Sequence, residues 1–421
     1  MGVTTDHLAL SRRKTIMKAI FEDPQFSFQM LRALGGAVCG ASDIGECLST
    51  GYRIKEGDFE SWHDEWSKTA ERIHKFADGC VMGANKVKAR EVSAREAYLR
   101  ASNYYRLAEF YLHGDPTDPR IDELSTKSMV CFSKFLRLGG AQVEIVEIPY
   151  EDTTLPGHFY PVDNSGEPRP TLIVQTGFDG TIEELYGNAI GAIARGMNCL
   201  AFEGPGQGQV IRKQGLTFRP DWEKVVTPVV DFALSLPGVD PKKVALMGLS
   251  FGGYLAPRAA AFEHRLAACI ANGGVFDFIG SRVPPNMSRE DFLGFIRSDP
   301  ESFEKGVLEL AKTNPEIRWG IQNGMYTFGA KSPGDWFIMC GDYTLEGVAD
   351  KITCPTLIID SEADHSFPGQ AKPLYDALTC PKTWMLFTAE EGAEEHCQIG
   401  AALISGERIL NWLEDTLADV G

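Results

Sequence analysis

The chain has 421 residues, 43% of them hydrophobic, enough for a large core and for more than one packing unit. Its formal net charge is −17 and its isoelectric point is near 5.0. So acidic a surface excludes nucleic acid and an anionic membrane as partners and favours a small-molecule ligand.

Residues 1–140 read as an all-α domain. Their opening residues are polar and lack the apolar stretch of a secretory signal. Trp62, Trp66, Ile73 and Phe76 recur at helical spacing. A second pair of helices is expected over Ala94–Leu112 and from about Asp122 to Leu138, separated by the turn Asp115-Pro116-Thr117-Asp118-Pro119.

The period changes after residue 140. Gln142–Glu147 and Gly157–Val162 read as antiparallel strands, and Thr171–Thr176, Cys199–Phe202, Val244–Met247, Ala268–Asn272, Thr356–Ile359 and Trp384–Phe387 as further strands. Helices are expected at Thr181–Arg195, Trp222–Leu236, Tyr254–Phe262, Gln370–Leu378 and Gln398–Asp415. This alternation predicts an α/β fold over residues 141–421, a doubly wound and mostly parallel sheet. Residues 280–349, helical and rich in aromatics such as Phe292, Trp319 and Trp336, read as a lid inserted over the carboxyl ends of the strands.

The ten cysteines are scattered without a C-x-x-C pair and read as reduced thiols, not as a disulfide framework or zinc site. No run of about 18 apolar residues occurs, so no membrane span is expected, and the expected location is cytoplasmic.

The chemistry centres on Gly248-Leu249-Ser250-Phe251-Gly252, between an apolar strand and an Ala-rich helix. This is the G-x-S-x-G pattern of a nucleophile elbow, in which glycines let a serine occupy a strained turn above the sheet edge. Such a serine needs a base and an orienting acid, in the chain order Ser, Asp or Glu, His. His396 follows the last strand and is placed at the start of the last helix; His365 reads as a neighbouring or substrate-facing residue. The acid belongs after Thr356–Ile359, where Asp364 is preferred to Asp360 because it lies beyond the strand end. The oxyanion donors expected are the backbone N–H groups of Phe251 and Phe178, the latter approached through Gly177.

Other residues admit two readings. Asp179 reads either as a cap of the following helix or as pocket lining. Asp277 reads as a substrate-facing proton handler or as a turn residue. The stretch Glu203-Gly204-Pro205-Gly206-Gln207-Gly208 has the glycines of a phosphate loop but no lysine, and a structural loop is the preferred reading.

The elbow, the Glu203–Gly208 loop, Gly177-Phe178-Asp179-Gly180-Thr181 and Gly392-Ala393-Glu394-Glu395-His396-Cys397-Gln398, with the N-terminal segment Arg100–Phe110, resemble the α/β-hydrolases that carry an N-terminal helical cap. That subgroup includes the dihydroxypseudooxynicotine hydrolase of bacterial nicotine breakdown and the fungal yellowish-green hydrolase that shortens a polyketide. The resemblance implies a triad of Ser250, Asp364 and His396, a pocket between cap and sheet, a small-molecule carbonyl substrate, and cleavage of a C–C bond next to a ketone. It also suggests a homodimer. Glu203 departs from the aspartate expected there in many relatives. The chemistry calls for no metal and no organic cofactor. Ester, lactone or thioester hydrolysis and acyl transfer or cyclisation use the same residues, and a non-catalytic receptor on the same scaffold is the reading from another class.

Overall fold

The strands β1 (Glu144–Tyr150), β2 (Thr153–Tyr160), β3 (Arg169–Gln175), β4 (Asn198–Phe202), β5 (Val239–Leu249), β6 (Ala268–Asn272), β7 (Thr356–Ser361) and β8 (Lys382–Phe387) form one eight-stranded sheet. The computed structural model describes residues 17–82 and 88–420; the polar opening of the chain, read above for a signal, lies outside the described residues. The strand order is β1-β2-β4-β3-β5-β6-β7-β8. The first two strands pair antiparallel at one edge, and every pair from β4 to β8 is parallel. The strand order reverses at β3, so the carboxyl ends of β3 and β5 face a crevice at the switch point of the sheet.

The apolar runs are continuous because both sheet faces are covered. Leu172, Val174, Met247, Ile270 and Ile359 point to one face, toward α6 (Tyr186–Ile193) and α14 (Ala402–Ala418). Ile173, Leu246 and Ile358 point to the other, toward α7 (Glu223–Ser235), α8 (Gly252–Ala260) and α13 (Ala371–Ala377). The predicted helix from Thr181 divides into a single turn at Ile182–Leu185 and α6.

The N-terminal region is helical as expected: α1 (Pro24–Gly35), α2 (Ile44–Gly51), α3 (Phe59–Met82), α4 (Lys88–Glu109) and α5 (Pro119–Arg137). Asp23 and Asp118 cap α1 and α5 by accepting the N–H groups of Phe26 and Arg120, and a proline follows each cap. Phe26, Trp62, Trp66, Tyr104 and Phe132 belong to the same cluster of buried side chains as Val174 and Met247, so the helical cap and one sheet face share a core. The lid consists of α9 (Arg289–Ser298), α10 (Pro300–Ala311), α11 (Pro315–Phe328) and α12 (Pro333–Cys340). Asp299, Asn314 and Ser332 cap the last three, each before a proline. The ten cysteines are free thiols, and no helix among the described residues is long and apolar enough to cross a membrane.

The turn from β5 into α8 explains its glycines. Ser250 has φ +62°. A Cβ on Gly248 would stand 2.0 Å from the carbonyl oxygen of Gly252, and one on Gly252 would stand 2.7 Å from that of Thr176. Backbone there packs against backbone, with no flexible side chain to yield. Gly248→Ala is therefore expected to destabilise the fold by about 2–3 kcal/mol, seen as a lower thermal midpoint.

Candidate active site

Four loops at the carboxyl edge of the sheet converge on Ser250. Its N–H donates to the carbonyl oxygen of Asn272 at the end of β6 (2.8 Å), and its Oγ lies 2.8 Å from Nε2 of His396. Nδ1 of His396 lies 2.7 Å from Oδ2 of Asp364. The other oxygen of Asp364 accepts the N–H groups of Ser366 (2.8 Å) and Phe367 (2.9 Å), which fixes the carboxylate. With Nδ1–H facing a carboxylate, Nε2 is left to accept the serine hydroxyl.

His396 comes from the loop after β8 and must reach back past β7 and β6. The expected helix start does not provide this. Residues His396–Gln398 form an isolated turn, and α14 begins only at Ala402. Left-handed backbone at Gly392 (φ +66°), Cys397 (+53°), Gln398 (+55°) and Gly400 (+92°) breaks the helix and swings the ring inward. Ala363 N–H donates to Glu394 O (2.8 Å) and Gln398 Nε2 to Ser361 Oγ (3.0 Å), which pins the loop to the end of β7.

Electrostatics follow from burial and pairing. Burial alone would raise the Asp364 carboxyl, but the adjacent His396 ring and the N–H of Phe367 outweigh it and hold the group below the usual carboxylate range. Burial opposes charge on His396, and Asp364 prevails, lifting the imidazole above its ordinary value. Asp360 does not reach the ring. Its carboxyl accepts the Ser361 N–H (3.0 Å) and is pushed up to about 6 by burial and the charge of Asp364. His365 lines the cavity, edge-on to Phe28 at 4.6 Å and 3.7 Å from Glu395.

The loop after β3 lies against the elbow. A Cβ on Gly177 would stand 2.5 Å from the backbone nitrogen of Phe251, so only glycine permits this approach. Among the described residues no acceptor takes the N–H of Phe178 or of Phe251. Gln207, masked in the sequence by the glycines around it, sets the loop. Its Nε2 donates to the carbonyl oxygens of Thr176 (2.9 Å) and Gly177 (3.2 Å), and its Oε1 accepts the N–H of Gly204 (2.9 Å). In a planar trans peptide the N–H points opposite the C=O, so holding Gly177 O turns the Phe178 N–H the other way. Asn323 of α11 holds the next peptide by donating to Phe178 O (3.0 Å). Asn323 is in turn 2.7 Å from Nδ1 of buried His113, whose Nε2 is 2.8 Å from Glu109; Glu109 is paired by both edge nitrogens of Arg212.

The Glu203–Gly208 stretch is structural, as preferred. The buried Glu203 carboxyl accepts the N–H groups of Ile182 and Gln209, each at 2.7 Å, and burial next to Glu183 pushes it up to about 7. A side chain at Gly208 would overlap that carboxyl.

The two other acidic readings resolve differently. Asp179 faces the cavity and does not cap a helix; Thr181 precedes the helical turn. Asp179 pairs with Arg32 of α1 (2.8 Å), which also holds Glu184 at 2.7 and 2.8 Å. Asp277 does not line the cavity, contrary to the substrate-facing reading. Its carboxylate is engaged by Arg289 Nε (2.7 Å) and the Ile279 N–H (3.1 Å), which tie the loop after β6 to the lid.

Ser250, His396 and Asp364 open into a cavity of about 2350 Å³ between the sheet edge, the cap and the lid. Aromatic side chains wall it: Phe178 stacks on Trp336 (6.2 Å) and meets Trp319 (5.8 Å). Cys397 Sγ lies 3.5 Å from His396 Nε2 and accepts the Ser250 N–H at 3.1 Å. Among the described residues no cluster of three or more His, Cys, Asp or Glu is arranged to hold a metal ion.

This fold and site define an α/β-hydrolase. The pattern described as the alpha/beta hydrolase family matches residues 178–398, and that described as esterase FrsA-like matches residues 28–284. The chain is 36% identical to hydrolase LUC6 of Fusarium sp, over 95% of this chain and 98% of that protein. It is 35% identical to the 20-hydroxy-prefusarin hydrolase FUS2 of Gibberella moniliformis, over 96% and 99%. Among solved structures, the 2,6-dihydroxy-pseudo-oxynicotine hydrolase shares the fold with a TM-score of 0.70 at 21% identity, over 91% of this chain and 95% of that one. The chain belongs to the α/β hydrolase family and is an enzyme.

The charge of Asp364 holds the His396 pKa up, so removing it must bring that pKa down. Histidine-detected NMR titration is expected to show the His396 resonance titrating above 6.5 in the wild type and at lower pH in Asp364→Asn.

Proposed function

We propose that the enzyme cleaves a C–C bond next to a ketone, in a β-diketone, aryl ketone or polyketide-type substrate, through an acyl-enzyme on Ser250. The observation that carries the acyl-enzyme is the unbroken hydrogen-bonded series Asp364–His396–Ser250 at the floor of a cavity walled by aromatics. His396 takes the proton of Ser250 as Oγ bonds to the ketone carbon, and Asp364 stabilises the imidazolium. The N–H groups of Phe178 and Phe251 receive the oxyanion; a donor of this kind is worth about 10²–10³ in rate. On collapse the C–C electron pair leaves with the departing carbon, which His396 protonates. Water, activated by the same imidazole, then releases the acyl group as an acid and restores Ser250. The departing carbon must delocalise its charge, as the enolate of a 1,3-dicarbonyl does. Neither metal nor organic cofactor enters any step.

The relative named for hydrolysis of 20-hydroxy-prefusarin supports a polyketide-type substrate. The match to FrsA-like esterases favours the second reading, ester, lactone or thioester hydrolysis or acyl transfer by the same residues. Product analysis with a β-diketone and an acyl-matched ester separates them. The C–C reading expects ketone and acid from the diketone with the wild type and, with Ser250→Ala, a loss of about 10⁴-fold or more. Cleavage of the ester alone leaves the second reading, and cleavage of both substrates by Ser250→Ala contradicts both.

A further inference from the structure

Arginines line the cavity at positions 32, 106, 195 and 282. Arg32 holds Asp179 and Glu184, Arg106 lies 3.4 Å from Glu184, and Arg195 lies 3.2 Å from Glu414. Arg282 has no carboxylate within 4 Å among the described residues, since the nearby Asp277 is taken by Arg289. Nη1 of Arg282 donates to Phe278 O (2.6 Å) and Ser281 Oγ (3.3 Å). Its Nε and Nη2 are neither bonded to a described residue nor sealed from solvent.

The edge left open is the one this molecule uses elsewhere to grip carboxylates. The Nε and Nη2 atoms of Arg32, Arg212 and Arg258 each hold both oxygens of a glutamate, Glu184, Glu109 and Glu223, at 2.7–3.0 Å. Arg282 is fixed in place with that edge vacant. Its guanidinium stacks over Phe278 (4.5 Å) and Phe367 (5.5 Å), and the Phe367 ring lies 5.7 Å from the ring of His396. Burial pulls its pKa below the ordinary value, and Cys340, Glu316 and Asp277, which act the other way, do not make up the difference. A half-buried cation with no carboxylate beside it is a group that an anionic ligand can pair.

We propose that Arg282 binds a planar, negatively charged pair of oxygens on the ligand, a carboxylate or the enolate of a 1,3-dicarbonyl, through its open Nε–H and Nη2–H edge. Resting on the C–C reading above, this puts a fixed positive charge in the cavity into which the departing enolate is released. An unactivated ester has no such demand.

The test uses the full-length enzyme, with p-nitrophenyl butyrate as a neutral reporter and two matched pairs of competitive inhibitors. One pair is 4-phenylbutyrate and 4-phenylbutyramide. The other is 1-phenyl-1,3-butanedione and its 2,2-dimethyl derivative, which cannot enolise. The wild type is expected to bind the acidic member of at least one pair about tenfold or more tightly than its neutral partner. Arg282→Met is expected to abolish that ratio and leave the neutral member within about twofold. A ratio lost only with the acid identifies a carboxylate ligand; one lost only with the diketone identifies an enolate. Ratios near one in the wild type, or ratios unchanged in Arg282→Met, overturn the proposal. Thermal melting checks that Arg282→Met folds; if it does not, Arg282→Lys, with a single-point ammonium, must still lose most of the ratio. If the reporter is not turned over, the hydrolytic reading fails separately, and calorimetric binding of the same pairs still decides the role of Arg282.

Discussion

One imidazole has to touch two groups carried by different strands, Ser250 after β5 and Asp364 after β7, and much of the carboxyl edge is shaped by that demand. Ser250 is delivered by a central strand, while His396 is delivered from beyond the edge strand β8 and crosses the ends of β7 and β6 to meet it. The crossing uses left-handed backbone at two non-glycine residues, Cys397 and Gln398. Such a conformation persists only when its surroundings determine it. Here they do: the Glu394 carbonyl, the Gln398 amide and the Asp364 carboxylate all tie the loop to the end of β7.

The second organising feature is the loop after β3, where cap, lid and sheet meet. Gln207 holds one of its peptides from below and Asn323 of the lid holds the next from above. Asn323 leads through His113 and Glu109 to Arg212, and Asp179 leads to Arg32 in the first helix. These are buried, charge-assisted contacts, which lose far more than surface pairs when one partner is removed. The cap and lid therefore do more than cover the cavity: through these ties they hold the Phe178–Asp179 peptide, next to the one that Gln207 orients.

Much of this was legible in the sequence where a local rule has one solution. Gly248, Ser250 and Gly252 announce the elbow because only glycine fits where backbone meets backbone, and the alternation of apolar runs with helical stretches announces a parallel sheet. The order Ser, Asp, His followed from that topology, and Asp364 was preferred to Asp360 on its distance beyond the strand. What local rules do not carry is pairing across the fold. Asp277 admits a substrate-facing reading because its partner Arg289 lies in the lid, and Asp179 admits both a cap and a pocket reading because its partner Arg32 is 147 residues away. Gln207 was hidden inside a run whose glycines drew attention to phosphate. The loop carrying His396 was read as a helix start, since periodicity does not show a left-handed break at Cys397 and Gln398.

The central claim is that three side chains from separate loops make Ser250 a nucleophile. Peptide mapping by mass spectrometry after brief exposure to a fluorophosphonate tests it directly. The account predicts a single adduct on Ser250 in the wild type, formed at least about 10³-fold more slowly in His396→Ala. An adduct on another residue, or equal labelling of Ser250 in both proteins, would contradict it.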